Sequence, residues 1–348
     1  MSKRWEHLTQ DDVPGRRTAS RPRTKQRPAH ADAQEAVVIG VDRGRYLARM
    51  ASGGKRDVMA VKARELGHRG VVVGDQAFLT GDVSGRKDAL ARIVRVGPRR
   101  TELRRATDEG RGRERVVVAN ADQMVIVAAL ANPEPRIGMI DRQLVAAYDA
   151  GLDVILCLTK ADLGADGALR ALYEPLGVTV ATTGRFAAGG TGETDGGDGI
   201  GGGMEGLDRV RELLTGRVSV LVGHSGVGKS TLINALVPGA RRATGEVNLV
   251  TGKGRHTSSS AVALELPGGG WVVDTPGVRS FGLSHVHPER VLAAFPDLAA
   301  RAAECPRGCP HGPDQPECAL AEWALGSAER KARFASYLRI VASSGEEN

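Results

Sequence analysis

Short apolar runs cut by turn residues dominate the chain between residues 36 and 105: AVVIGV, RYLARM, DVMAVKA, GVVVGDQAFL and ALARIVRVG, with Gly, Asp and Lys between them. Alternating or β-branched runs of this length mark strands. Five of them in so short a stretch predict a small closed β-barrel, for which an OB-fold is the expected form and an SH3-like barrel the other. From Arg115 the pattern changes. RVVVANADQMVIVAAL reads as a buried strand, IDRQLVAAYDAG as an amphipathic helix and DVILCLT as a second strand. A helix near Leu169 to Leu176, the strand VTVAT, the helix LDRVRELL and the strand VSVLV follow, then the strands AVALEL and GWVVDTPG. Strands alternating with helices predict an α/β layer on a parallel sheet. HPERVLAAFPDLAARA and AEWALGSAERKARFASYLRIVAS, with Arg and Lys on their polar faces, predict a mostly helical end.

Two stretches have neither period. Residues 1–34 are rich in Arg, Lys, Pro and Thr and poor in aliphatic side chains. They cannot offset the entropy of ordering and are expected to be a disordered basic arm. Glycine with Thr, Asp and Glu fills residues 184–206, a flexible linker. The expected division is an arm over 1–34, a barrel over 35–112, an α/β domain over 113–285 and a helical domain over 286–348.

A formal charge of +7 over 348 residues favours a polyanionic partner. Arg92, Arg95, Arg99, Arg100, Arg104 and Arg105 crowd the exit of the barrel and fit phosphate-backbone binding, although such a run also serves as a solvated face. The longest apolar run, 124–131, falls far short of a membrane span, and the charged start MSKRWEHLTQDD lacks a signal peptide's apolar core. A reducing, cytoplasmic setting with no membrane is expected.

Candidate chemistry begins at SVLVGHSGVGKSTLINAL. Gly223, Gly228, Lys229 and Ser230 satisfy G-x-x-x-x-G-K-[ST] between a predicted strand and helix. The glycines let the loop, which includes His224, Ser225, Gly226 and Val227, curl its N–H groups around phosphate oxygens. Lys229 would reach the β and γ phosphates, where its charge is needed for hydrolysis, and Ser230 would ligate Mg²⁺. Thr231 follows in the first helical turn, whose dipole favours an anion.

Thr159-Lys160-Ala161-Asp162 closes the strand DVILCLT, at the edge where parallel sheets bind ligands. Asp162 would accept hydrogen bonds from N1–H and the exocyclic amine of guanine, with the Lys160 stem over the ring. T-K-x-D alone also reads as a helix start capped by Asp162. Asp274-Thr275-Pro276-Gly277 is a D-x-x-G: Asp274 would hold Mg²⁺ through water and the Gly277 N–H would sense the γ phosphate. Together the three motifs predict a GTPase that uses Mg²⁺. The base-reading motif comes before the P-loop, and circular permutation explains that order, with the glycine linker rejoining the old ends.

Cys305, Cys309, His311 and Cys318 form C-x3-C-x-H-x6-C. Thiolates this dense in a reducing compartment share a metal, and three sulfurs with one imidazole suit a closed, structural tetrahedral Zn²⁺ site. Cys157, the remaining cysteine, reads as strand packing.

ANADQMVIV, IDRQLVAA, LTKADL, GHSGVGKSTLINAL, GRHTSSS, DTPGVRSFGL and the cysteine cluster resemble the bacterial ribosome-small-subunit-dependent GTPase family, RsgA, from about residue 36 to 340. The resemblance implies an N-terminal OB-fold, a circularly permuted P-loop GTPase and a C-terminal zinc-binding domain that binds RNA. It further implies GTP/GDP exchange and turnover in late assembly of the 30S subunit, with 16S rRNA as partner and the chain a monomer. Thr159 stands where GTPases usually carry Asn, and the fifth guanine motif near Ala181 to Thr183 is blurred. Val278 takes the place of the Gln that orients water in Ras-like enzymes. In the switch I position, His256 is the candidate for that task and Thr257 for a Mg²⁺ ligand, and the resemblance points to the same His. Two rival readings are a P-loop kinase with a zinc lid, which leaves T-K-x-D and D-x-x-G unexplained, and a non-catalytic rRNA-binding assembly factor, which leaves an intact phosphate loop unexplained.

Overall fold

The structure, a computed structural model, describes residues 30–67, 70–106, 114–185, 204–240, 261–275, 288–293, 295–312, 315 and 317–345. Most of the expected arm, most of the linker, and the switch I stretch with GRHTSSS lie outside them. Period-two alternation gives the barrel strands β1 (Gln34–Asp42), β2 (Arg45–Met50), β3 (Asp57–Lys62), β4 (Gln76–Gly81) and β5 (Ala91–Val96). They close in the order β1-β2-β3-β5-β4-β1, antiparallel except for β3 beside β5, as an OB-like five-strand barrel. So few strands leave a narrow interior, filled largely by small side chains: Ala36, Ala48, Ala60, Ala77 and Ala91 beside Val38, Val58, Leu79 and Ile93.

GVVVGDQAFL is only half strand. Val73 leaves the barrel to bridge Val118, and Gly74, at φ +88°, allows it: a Cβ there would lie 1.9 Å from the Ala119 carbonyl oxygen. RVVVANADQMVIVAAL likewise divides in two. β6 (Glu102–Ala106) and β7 (Glu114–Ala119) form a ribbon, whereas β8 (Gln123–Ala129) enters the main sheet. Asn120, with φ 56°, makes the turn between them; its amide donates to Gly74 O at 2.9 Å and accepts from the Arg100 N–H at 2.8 Å.

Of the arginines at the barrel exit Arg99 is enclosed, whereas Arg92, Arg95, Arg100 and Arg104 are exposed, three of them with a partner. Arg99 makes a bidentate pair with the fully buried Asp75 at 2.7 and 2.9 Å and reaches Gly70 O and Glu102. Arg100 binds Asp122 at 2.6 Å, Arg104 binds Glu102, and Arg95 lies 3.7 Å from the Phe78 ring centroid. Burial works against the Asp122 carboxylate, but the Val218 N–H and Arg100 outweigh it and hold its carboxyl below the usual range.

The main layer continues with α1 (Ile137–Asp149), β9 (Asp153–Thr159), α2 (Gly167–Tyr173), β10 (Thr179–Thr182), β11 (Gly184–Arg185) and β12 (Met204–Glu205). Then come α3 (Leu207–Leu214), β13 (Val218–Val222), α4 (Lys229–Leu236), β14 (Val262–Glu265) and β15 (Trp271–Asp274). The sheet order is β10-β9-β8-β13-β15-β14, parallel up to the antiparallel β14, which meets β1 of the barrel at Gly40 and Val262. Every residue of β8 is buried, as a central parallel strand covered on both faces requires. One core packs α3 and α4 on one face, the other α1 and α2.

That second core also takes in the described residues at the C-terminal end, which form α5 (Pro288–Ala293), α6 (Pro296–Ala302), α7 (Ala319–Ala324) and α8 (Ala328–Gly345). Phe295, fully buried, meets Tyr148 of α1 edge-on at 5.2 Å and Tyr337 of α8 at 6.1 Å. Asp141, buried in α1, accepts from Arg339 of α8 at 2.9 Å and from the Tyr173 hydroxyl at 3.0 Å. Phe295→Ala should therefore cost about 3–5 kcal/mol in chemical unfolding. A loss below about 1 kcal/mol would show that this aromatic junction does not hold the helices to α1.

Candidate functional site

Because β9, β13 and β15 run parallel, their C-terminal ends lie along one edge of the sheet, although they are far apart in the chain. The loop after β13 is the glycine motif. A Cβ on Gly223 would lie 2.5 Å from Val127 O, and Gly226 and Gly228 have φ of +84° and +91°, so three of its glycines are required sterically. Gly228 O accepts the Leu232 N–H at 2.9 Å as α4 begins. Lys229, at that helix start, pairs with Asp274, the last residue of β15, both side chains mostly shielded. Thr275 donates to Leu221 O at 3.0 Å and fixes the end of β15 against the P-loop strand. Ser225, Gly226, Ser230 and Thr231 are exposed; Val227 is buried under the loop, and His224 Nδ1 lies 2.9 Å from Ser225 O.

Thr159 joins the two motifs. Its hydroxyl, buried at the end of β9, donates to Val227 O at 2.5 Å, inside the P-loop. Lys160, at φ 59°, donates to Asn132 O, and Asp162 is exposed, with Oδ1 accepting the Arg185 N–H at 3.1 Å. A cavity of about 250 Å³ lies here, lined by Lys160, Asp162, Thr183, Arg185, Met204 and Thr231 among others. No motif marks Arg185 or Met204, which belong to the expected linker; its two ends instead pair as β11 and β12 and enter this wall. The Gly206 turn is the discernible signal: φ is +74°, and a Cβ would lie 2.0 Å from Thr182 O. Gly277, His256 and Thr257 lie outside the described residues.

Away from this edge, Cys305, Cys309, His311 and Cys318 come together with all four ligand atoms within 4.8 Å of one another. Cys318 Sγ is 3.9 Å from His311 Nδ1. Turn hydrogen bonds from Cys305 N–H to Ala302 O and from Cys309 N–H to Pro306 O, both 3.1 Å, hold the first two.

Residues 96–192 and 201–284 match the family model described as RsgA GTPase. A Pseudomonas aeruginosa protein described as small ribosomal subunit biogenesis GTPase RsgA is 39% identical over 283 residues, 79% of this chain and 76% of that one. The chain belongs to the RsgA GTPase family. A relative from Ectopseudomonas mendocina with the same description is 38% identical over 285 residues, 80% of this chain and 76% of its own. The fold matches the crystal structure of YjeQ from Thermotoga maritima with a TM-score of 0.59, at 24% identity over 89% of this chain and 99% of that one. It also matches YloQ, a circularly permuted GTPase, with a TM-score of 0.62, at 20% identity over 92% and 98%.

As an RsgA-family member the chain is a GTP hydrolase on a circularly permuted sheet. The cysteine cluster suits a tetrahedral metal: Zn–S bonds of ~2.3 Å set ligand atoms about 3.8 Å apart, close to the spacing present. Among the described residues no helix is long and apolar enough to cross a membrane. Cys157 is fully buried in β9, and burial pushes its thiol up to about 12 despite a hydrogen bond with Thr183. The thiolate is the reactive form, so Cys157 should resist alkylation at pH 8 in the native protein. After chelator treatment the other three cysteines should react and Cys157 only in denaturant; four native-reactive thiols would contradict its packing.

Proposed function

We propose that this GTPase binds the 30S ribosomal subunit and acts late in its maturation, with hydrolysis of GTP to GDP and phosphate permitting release. The observation that carries the reading is the convergence of the P-loop, T-K-x-D and Asp274 with Thr275 of the D-x-x-G at one sheet edge, in a chain whose relatives are described as small ribosomal subunit biogenesis GTPases. Asp162 and Lys160 read guanine. The P-loop from Gly223 to Thr231 holds the phosphates, with Thr159 bracing it from below. Ser230 and Asp274, with Thr257, would hold Mg²⁺, which would supply positive charge to the phosphates, and the Gly277 N–H senses the γ phosphate. For Lys229 to reach the phosphates its pairing with Asp274 must open, which couples nucleotide binding to release of that carboxylate. His256 orients the attacking water when the subunit is bound.

In this reading residues 35–112 form an OB-fold and 286–348 a helical domain closed by structural zinc on Cys305, Cys309, His311 and Cys318, both contacting 16S rRNA. The cytoplasm is the setting, and the working form is a monomer.

Turnover measured with GTP and ATP, with and without purified 30S subunits, tests the whole. Guanine preference and stimulation by 30S are expected; ATP preference would favour a kinase, and an absence of turnover a passive assembly factor. Asp162→Asn replaces an acceptor by an amide and should shift preference toward xanthine nucleotides. Unchanged GTP affinity in that variant would remove Asp162 from base reading.

A further inference from the structure

Barrel and parallel sheet meet along a thin seam. Gly40 against Val262 is its ladder contact, and cavities of about 940 and 510 Å³ open on its two sides. Ile39, Arg49, Ala263 and Trp271 line both cavities and so make the wall between them. Arg49, on β2 of the barrel, is the charged member of that wall. Its guanidinium lies 5.2 Å from the centroid of the Trp271 ring and donates to Glu265 Oε2 at 2.9 Å. It also binds Asp57 of β3 through Nε and, at 3.2 Å, through Nη2, while Lys55 adds a 2.8 Å pair to Glu265. The bond to Asp57, with Glu265 adding to it, outweighs burial and fixes Arg49 as a cation.

Register gives the seam its reach. Trp271 stands opposite Glu265 and Asp274 opposite Val262 in the β14–β15 hairpin. The barrel therefore grips both ends of this hairpin, Arg49 at the Glu265–Trp271 end and Gly40 at the Val262–Asp274 end. β15 is only four residues long, and its last residue is Asp274, the partner of Lys229. β13 holds β15 from its other side, and Thr275 ties its end to Leu221 O, so the barrel's grip acts on the hairpin edge of a strand whose opposite edge is already anchored. A flat guanidinium on an indole face with a carboxylate at its edge fixes orientation as well as distance, which a lysine would do less well.

We propose that Arg49 is a positioning residue for GTP hydrolysis, clamping Trp271 and Glu265 so that β15 delivers Asp274 to the Mg²⁺ side of the nucleotide. This rests on the reading of Asp274 as a Mg²⁺-holding carboxylate. Arg49 touches neither nucleotide nor metal, so its loss acts through the strand. A change in the Mg²⁺ requirement is the signature, since loss of general stability would lower the active fraction without moving the Mg²⁺ curve.

The test is hydrolysis by the full chain against Mg²⁺ concentration for Arg49→Met, Arg49→Lys, Glu265→Gln and Asp274→Asn, with GDP affinity in chelator and thermal unfolding measured alongside. Arg49→Met should raise the Mg²⁺ concentration for half-maximal turnover by about 2- to 30-fold, the span of couplings of this kind. GDP affinity without Mg²⁺ should stay unchanged, and Arg49→Lys should restore part of the shift. Glu265→Gln, which keeps the side-chain volume, carries the same test from the opposite strand should Arg49→Met fail to fold. If Asp274→Asn leaves the Mg²⁺ curve in place, the reading of Asp274 and the inference fall together. If it moves the curve while Arg49→Met and Glu265→Gln change only the unfolding temperature, Asp274 keeps its role and the clamp is overturned.

Discussion

Parallel hydrogen bonding among β8, β9, β13 and β15 is the constraint on which this molecule depends. Parallel neighbours all point the same way, so the loops that follow them collect at one edge whatever order the chain visits them in. Position is set by register, Ser219 opposite Gln123 on one side of β13 and Val218 opposite Trp271 on the other. Circular permutation leaves that register alone. Its cost falls on the closing connection, and here the glycine-rich stretch is tied off where it leaves and re-enters the fold, by β11 on β12 and by a turn at Gly206 that admits no side chain. Because that tie lies beside Asp162, the device that rejoins the old termini also forms part of the candidate base cavity.

The parts legible in the sequence were those governed by local period and steric need. Asp153–Thr159, Leu207–Leu214 and Val218–Val222 match the runs DVILCLT, LDRVRELL and VSVLV, because buried strands and amphipathic helices carry their own periodicity. Alternation reports that a face is buried, not what buries it. The division of RVVVANADQMVIVAAL at Asn120 depends on Gly74, distant in the chain, and the exit of Val73 from the barrel depends on the same contact. Helical period in HPERVLAAFPDLAARA likewise gave apolar faces but not their partner, which proved to be α1.

Charge was the least legible property. A run of arginines reads as a surface, yet Arg99 is enclosed with Asp75, an ion pair that needs two partners brought together across 24 residues. Desolvating such a pair offsets much of its attraction, so its value lies in what breaking it would leave: a buried carboxylate without a counter-charge. That asymmetry specifies how the barrel meets the β6–β7 ribbon, because an alternative packing would strand Asp75. The bare count of arginines thus overstates the local charge at the barrel exit, where Arg99, Arg100 and Arg104 are each paired with a carboxylate.

Thr159 illustrates how a departure from the usual residue can keep a function's geometry. A backbone loop that turns its N–H groups toward an anion must direct some carbonyls away from it, and a carbonyl buried without a donor costs about 1–3 kcal/mol. Val227 O is such a group, and the Thr159 hydroxyl satisfies it at 2.5 Å. The donor is short and β-branched, so it sits within a buried strand end without needing room for an amide, and its methyl lies 3.8 Å from where a Gly228 Cβ would be. Since the same residue opens the T-K-x-D loop, one hydroxyl ties the conformation of the phosphate cradle to the position of Asp162.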